Sequence, residues 1–274
     1  MYKLEYYKSK FRNIFEQGSD DWLEGRRFAF GGSEIATVLD EDPYTNFTEL
    51  LQKKKTKENL REENTEWGKM FEPVAKIFIT IERKTKIHEF SSIPHCFYPV
   101  CYSPDGILVE NDDLVLLEIK CPIRRNIHYI PSYYLHQIKT GMCILNVKHT
   151  IFAQFRFRRC AIWTDPDSPS FDRVYHKDFK TRPAKPITYG YLYWKSDCPL
   201  VDLGIKHEMV PLIPKGRPEI IIADPKFKPN HGHVLMWKLF EIKYDIIEPE
   251  TDYLQKNETK LWAKYHELRN YLSS

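Results

Sequence analysis

The sequence predicts an α/β fold, with a central mixed sheet flanked by helices and a C-terminal α+β extension. Three observations predict it. Apolar residues at helical spacing mark one long helix in the first third of the chain. An almost wholly apolar strand–turn–strand segment follows, and a helix from about Ser132 to Leu145 then hands over to two further strands. On this reading residues 1–164 form the core, and residues 165–274 form an extension packed on it or continuous with it as one domain.

Each element has its own signal. Asp20 or Asp21 caps a short helix carrying Trp22, Leu23, Arg26 and Arg27. Gly31-Gly32 breaks the chain, and Ser33 is placed to cap a helix through Ile35, Val38 and Leu39. Asp42-Pro43-Tyr44 ends that helix, and the next runs from about Phe47 into Lys53-Lys54-Lys55, whose charges, with Lys57 and Arg61, suit a solvated face better than a contact with a nucleic-acid backbone. The long helix starts near Glu63, with Trp67, Phe71, Val74, Ile77, Phe78 and Ile81 recurring at three and four residues to form one buried face.

Phe97, Tyr98, Val100 and Tyr102 then lead into the turn Ser103-Pro104-Asp105-Gly106. Ile107-Leu108-Val109 is turned by Asn111-Asp112-Asp113 and returns as Leu114 to Lys120, apolar enough to be covered on both faces. Strands Thr150 to Phe157 and Arg159 to Trp163 follow the helix after Ser132. Beyond Asp165, Pro-rich stretches alternate with short strand-like runs. A terminal helix after Pro249 carries Leu254, Leu261, Tyr265, Leu268 and Leu272 as a stripe for the core, a partner helix being the alternative.

Composition bounds the function. Hydrophobic residues are 42% and charged residues 29% of 274, a globular balance, and 18 prolines against 11 glycines with 14% aromatics exclude a low-complexity chain. Lys+Arg total 41 against 38 Asp+Glu, a net charge of +3, so a nucleic-acid partner would meet a local positive channel and not a uniform basic coat. No apolar run approaches the ~20 residues of a membrane span, and the first residues lack the apolar core of a secretory signal; a soluble intracellular protein is expected. The 6 cysteines stand singly, with no C-x-x-C pair, which favours reduced thiols over structural zinc or an iron–sulfur cluster.

The chemistry gathers in the central hairpin. Strand alternation puts Glu118 and Lys120 on one face, and the hairpin brings that face against the turn carrying Asp105. Two carboxylates and a lysine are costly to bury unless they pair or hold a metal, and their oxygens suit Mg²⁺ or Mn²⁺. A lysine there can hold a water or help deprotonate it, and metal-assisted phosphodiester hydrolysis needs that set. Glu241-Ile242-Lys243 repeats the tripeptide without the turn and suits ordinary alternation with the charged side out. On these residues alone, a structural salt bridge and a catalytic site stand level.

Arg124-Arg125, just past that strand, is placed to meet phosphates, and Arg156, Arg158 and Arg159 are weaker candidates for the same task. His231-Gly232-His233 lacks a third ligand and suits ordinary strand histidines. Tyr133-Tyr134 suits core or groove lining better than a base-stacking platform.

The string from Gly31 to Met142 resembles the YqaJ-type viral recombinase and phage lambda exonuclease family, within the PD-(D/E)xK nuclease superfamily. Its pieces occur in the family's order: Trp22 with Arg26; Gly31-Gly32-Ser33-Glu34-Ile35-Ala36; Asp42-Pro43-Tyr44; Trp67-Gly68 with Glu72; Ser103-Pro104-Asp105-Gly106; Leu117-Glu118-Ile119-Lys120-Cys121-Pro122; and Tyr134 with Gln137 and Met142. The resemblance implies a restriction-endonuclease-like core and a Mg²⁺-dependent exonuclease working from duplex DNA ends, 5′→3′, in viral or phage-type recombination and repair.

It also implies roles. Asp105, Glu118 and the Ile119 carbonyl would be metal ligands, Lys120 the catalytic lysine, Glu72 a further acidic ligand and Gln137 an active-site glutamine, while Arg26 and Ser33 would grip a 5′-phosphate. Without the resemblance, Glu72 is a surface glutamate beside Lys69 and Lys76, and Arg26 and Ser33 are a solvated arginine and a helix cap. Members of the family work beside a single-strand annealing protein and some form ring trimers, so such a partner, double-stranded DNA, and the cytoplasm or nucleus of a host cell are the corresponding expectations. A structure-specific endonuclease, an RNA-cleaving enzyme and a catalytically silent binding module are the alternatives. The tail after Asp165 has no counterpart in the family pattern.

Overall fold

The computed structural model describes residues 2–11, 26–56, 63–123, 125–159, 186–195, 197–198, 200–202, 212–214, 217–224, 226–227 and 232–274. A helix Tyr2–Phe11 opens the chain, and β1 (Phe30–Gly31) runs into a 3-10 turn Gly32–Glu34 and a one-turn helix Ile35–Val38. Helices Phe47–Thr56 and Glu63–Arg83 follow, then strands β2 (Ile93–Pro94), β3 (Val100–Tyr102), β4 (Gly106–Glu110) and β5 (Asp113–Lys120). Helix Ser132–Leu145 leads to β6 (His149–Arg159), β7 (Thr188–Lys195), β8 (Leu200–Asp202), β9 (Leu212–Pro214), β10 (Glu219–Ile222) and β11 (Gly232–Ile247), before the helices Tyr253–Lys256 and Glu258–Ser273.

Among the described residues the main sheet has six strands in the order β10-β7-β11-β6-β5-β4, parallel only between β5 and β6. The β4–β5 hairpin turns through Asn111 and Asp112, both at positive φ (51° and 67°), the two-residue geometry whose twist matches the strands. Long β11 inserts between β6 and β7, so strands of the extension complete the sheet of the core. A smaller sheet pairs β1 parallel to β3 and β2 antiparallel to it.

Strand β5 is covered on both faces, as its apolar run predicts. Val115, Leu117 and Ile119 pack with Trp67, Phe71 and Val74 of the long helix, while Leu114 and Leu116 pack with Ile138, Met142 and Leu145 of helix Ser132–Leu145. Phe71 stacks on Phe157 at 4.6 Å, and Trp237 of β11 stands edge-on to Phe157 at 5.4 Å; such pairs add about 0.5–1.5 kcal/mol each beyond buried area. Leu254, Leu261 and Leu268 of the terminal helices fill the space against Phe30, Ile35 and Phe47, so the apolar stripe does pack on the core.

Local expectations need correction in three places. The long helix buries Ala75 and Ile79, whereas Ile81 is 67% exposed. Ile77 and Ile81 line an open cleft of about 630 Å³ with Lys76, Lys84 and Lys86. Ser33 caps no helix: it lies exposed inside the 3-10 turn, and Glu34 reaches back to the Gly31 N–H at 2.7 Å to close the helix start. Lys54, expected on a solvated face, is buried, because Phe47, Leu50, Leu51 and Lys54 share the inward side of their helix. Asp20, Asp21, Trp22, Leu23, Lys57, Arg61, Arg124, Trp163, Asp165 and His231 lie outside the described residues.

Candidate active site

The site sits where β5 ends and both covering helices reach its edge. Register pairs Gly106 with Leu117, so Asp105 stands opposite Glu118. Asp105 Oδ2 accepts the Ile119 backbone N–H at 2.7 Å, which fixes the carboxylate across the strand. Glu118 is fully buried, and its side chain is held on every side. Its Oε1 accepts from Lys120 Nζ at 2.5 Å and from Gln137 Nε2 at 2.6 Å, and its Oε2 accepts from the Tyr102 hydroxyl. The structure therefore brings together Asp105, Glu118, Lys120 and Gln137, with Ile119 between Glu118 and Lys120 in sequence.

Glu72 approaches from the long helix on the other side of the sheet. It pairs with Lys76 at 2.7 Å, yet lies near enough to Asp105 for the two charges to repel. Burial, followed by the Asp105 charge, raises the Glu72 carboxyl above its ordinary range. Asp105 is pushed up to about 6, first by burial and then by Glu118, with Lys120 opposing. For Lys120, burial alone would lower the pKa, but the charges of Glu118 and Asp105 raise it overall. Held by both acids, the ammonium is placed to hold a water or a phosphate oxygen, one of the two roles the sequence leaves open.

Crowded carboxylates in a desolvated pocket mark a place for positive charge beyond that of Lys120. Among the described residues no three His, Cys, Asp or Glu side chains gather closely enough to cage a metal by themselves. Asp105 and Glu118 with one backbone carbonyl make a sparse oxygen donor set. It fits Mg²⁺, which keeps several waters and is bound through one or two carboxylates plus substrate phosphate.

Tyr102 is the member of this cluster that sequence reasoning missed, having been read only as a strand position. Its ring is 1% exposed and fills a slot bounded by two glycines: an added Cβ would lie 2.5 Å from the ring at Gly32 and 2.6 Å from it at Gly141. Only glycine permits that approach, and the slot aims the hydroxyl at Glu118. A tyrosine in an apolar strand just before the Ser103-Pro104-Asp105-Gly106 turn was the available signal.

The same slot ties the end-recognition candidates to the site. Gly32 touches Tyr102 and lies against Gln137, so the turn carrying Ser33 adjoins the acids. Arg26 lays its guanidinium on Gly31, where a Cβ would collide with it, and its charge acts on Glu34. Burial would raise the Glu34 carboxyl, but Lys54, Arg26 and the Gly31 N–H hold it below its usual range. Lys54 Nζ also donates to the carbonyls of Arg26 (3.2 Å) and Ala29 (2.9 Å), so the buried lysine fastens the segment that presents Arg26.

The remaining arginines are less free than the sequence suggests. Arg125 donates to the carbonyls of Asn126 (2.8 Å) and Tyr129 (3.1 Å) and to Gln154 Oε1 (2.7 Å), organising the loop after β5. Arg158 is buried, and Arg156 pairs with Glu241 at 3.4 Å. Glu241 with Arg156 and Lys243 with Asp245 are ordinary strand-surface ion pairs, as expected.

Comparison with known proteins places the site in a family context. Residues 21–148 match the YqaJ-like viral recombinase domain, which bears out the resemblance carried by the motifs. The fold is shared with an alkaline exonuclease from Laribacter hongkongensis (TM-score 0.52, 16% identity, 93% of this chain and 95% of that one). It is shared equally with that exonuclease in complex with dAMP (TM-score 0.51, 16% identity, the same coverage), and is of the restriction-endonuclease-like type expected. Protein D345L of African swine fever virus is 27% identical over 190 residues, 58% of this chain and 55% of that protein. The chain thus spans about half the length of the curated relatives it matches.

Proposed function

We propose that this chain is a Mg²⁺-dependent DNA exonuclease working 5′→3′ from duplex ends, in viral or phage-type recombination and repair inside a host cell. The observation that carries it is Glu118, fully buried yet gripped by Lys120, Gln137 and Tyr102, with Asp105 opposite. Burying charge at that cost is the mark of a site that must hold something. The match to the YqaJ-like domain and the exonuclease fold support the substrate class.

In this reading Asp105, Glu118 and the Ile119 carbonyl hold the ion, with Glu72 facing them from the long helix. Bound Mg²⁺ supplies a Lewis acid for the scissile phosphate and an acidified water. Lys120, kept cationic by the two acids, steadies the attacking water or a phosphate oxygen. Gln137 and Tyr102 keep Glu118 from rotating. Arg26, laid on Gly31 beside the Ser33 turn, offers a planar fork of donors to the 5′-phosphate, and Arg125 adds positive charge at the rim. A single-strand annealing protein and a homo-oligomeric ring belong to the same proposal as partners.

Time-resolved digestion of duplexes bearing 5′-phosphate or 5′-hydroxyl ends, with and without Mg²⁺, tests it. The expected result is Mg²⁺-dependent release of nucleotides, faster from 5′-phosphorylated ends and absent on a closed circle. Cutting of the circle, or release without any divalent ion, would overturn the proposal.

A further inference from the structure

The Asp42-Pro43-Tyr44 turn has no part in the chemistry above, yet the fold braces it. Asp42 spends both carboxylate oxygens on it: Oδ2 accepts from the Thr37 hydroxyl at 2.8 Å and Oδ1 from the Tyr44 N–H at 2.9 Å. Pro43 fixes the backbone just ahead. The braced turn presents Tyr44, 77% exposed, with its ring at 81° to Tyr133 and 5.7 Å from it.

Behind Tyr44 the aromatic contacts continue inward. Tyr133 lies 4.4 Å from Tyr134, and Tyr134 lies 5.0 Å from Lys120 Nζ and 5.4 Å from the Arg125 guanidinium. A lone exposed tyrosine needs no explanation. A row of rings running from the catalytic lysine out to solvent, with cations at its inner end, has the composition that single strands of nucleic acid require: faces for bases and charge for the backbone.

We propose that Tyr44, backed by Tyr133, is a stacking site for an unpaired nucleobase of the DNA strand that enters the active site. The proposal rests on the nuclease reading of that site and adds a base-binding position to it. A base inside a duplex is covered by its neighbours and must leave the stack to meet the ring. The site therefore takes a base only where the end is already open, and favours unpaired ends over blunt ones. The aromatic face is what binds, so phenylalanine serves as well as tyrosine.

The test is a cycle between protein and DNA. Fluorescence anisotropy is measured on 5′-phosphorylated duplexes with a short unpaired 5′ end, Ca²⁺ replacing Mg²⁺ to stall cutting. The proteins are the 274-residue wild-type chain, Tyr44→Ala and Tyr44→Phe, and an abasic site is moved through the unpaired positions. Stacking of one base predicts affinity about 5- to 150-fold weaker for Tyr44→Ala and near wild type for Tyr44→Phe. At one position the abasic site should weaken the wild type by that factor and Tyr44→Ala by none. Equal affinity of wild type and Tyr44→Ala, or fully additive losses at every position, would overturn the stacking site even in a protein that cuts DNA from its ends. A wild type that neither binds nor cuts DNA would instead sink the nuclease reading, and the stacking site with it.

Discussion

Tyr102→Phe removes one hydroxyl from a ring that cannot move, because Gly32 and Gly141 leave it no room. Glu118 then keeps Lys120 and Gln137 but loses its third donor. Being fully buried, it has no water to replace it. A hydrogen bond to a charged group is worth about 1.5–3 kcal/mol. For a chain of this size that corresponds to a melting temperature lower by roughly 3–10 °C. The larger expectation is functional. Partners that orient a metal-binding carboxylate typically affect metal affinity or activity by about 10- to 100-fold. Titrating activity against Mg²⁺, together with calorimetric binding of Mn²⁺ to the DNA-free protein, should show that loss. Gly141→Ala pushes the ring from its other side, so on its own it should cost both stability and activity. In the Tyr102→Phe background it should still lower stability but remove little further activity. If Tyr102→Phe melts, binds Mn²⁺ and cuts like the wild type, the slot does not orient Glu118.

Lys120→Ala should abolish hydrolysis while far-ultraviolet circular dichroism stays native, since it removes a charge and little core volume; a fully active variant would remove the assigned role. Arg26→Ala should bring the ratio of rates on 5′-phosphate and 5′-hydroxyl ends toward unity, and an unchanged ratio would show that another group reads the end. Lys54→Met strips a buried cation, 6% exposed, from the Arg26 and Ala29 carbonyls and from Glu34. Because Glu34 keeps some solvent access, the loss by urea unfolding should be about 2–3 kcal/mol, below the 3–5 of a fully buried pair. Glu250 is held down to about 2 by hydrogen bonds from Lys139 and Lys256, joining helix Ser132–Leu145 to the C-terminal helices. A depressed carboxyl stabilises above its unfolded pKa and ceases to as pH falls through the folded value. Glu250→Gln should therefore melt lower than wild type at pH 7, lose most of that gap as pH falls to 2 and converge with wild type below it; a gap undiminished at pH 2 would refute the linkage.

Local chemistry made much of this legible. The turn residues Asn111-Asp112-Asp113 and an apolar return strand located the hairpin, and Asn111 and Asp112 do take positive φ there. Two-residue alternation put Glu118 and Lys120 on one face, and a turn opposite that face placed Asp105. What stayed hidden was decided by pairing across long stretches of sequence. Nothing in the pattern of residues 232–247 says that they run between β6 and β7, because strand signals carry no address. Tyr102 escaped for the same reason, its place depending on Gly32 and Gly141, far apart in sequence, meeting around one ring.

Lys54 differs, because its burial was encoded locally. Phe47, Leu50, Leu51 and Lys54 follow the three- and four-residue spacing of a single helical face. Lys53 and Lys55 flank that face, and the ammonium of Lys55 lies over the Tyr271 ring. A run of three lysines hid one that helical periodicity already assigned to the interior. A cation placed there needs anions or carbonyls to meet it. The partners it finds, the Arg26 and Ala29 carbonyls and Glu34, are those of the segment proposed to read the DNA end. The buried lysine therefore belongs to the functional reading as much as to the fold: loosening it should cost end selectivity before it costs the sheet.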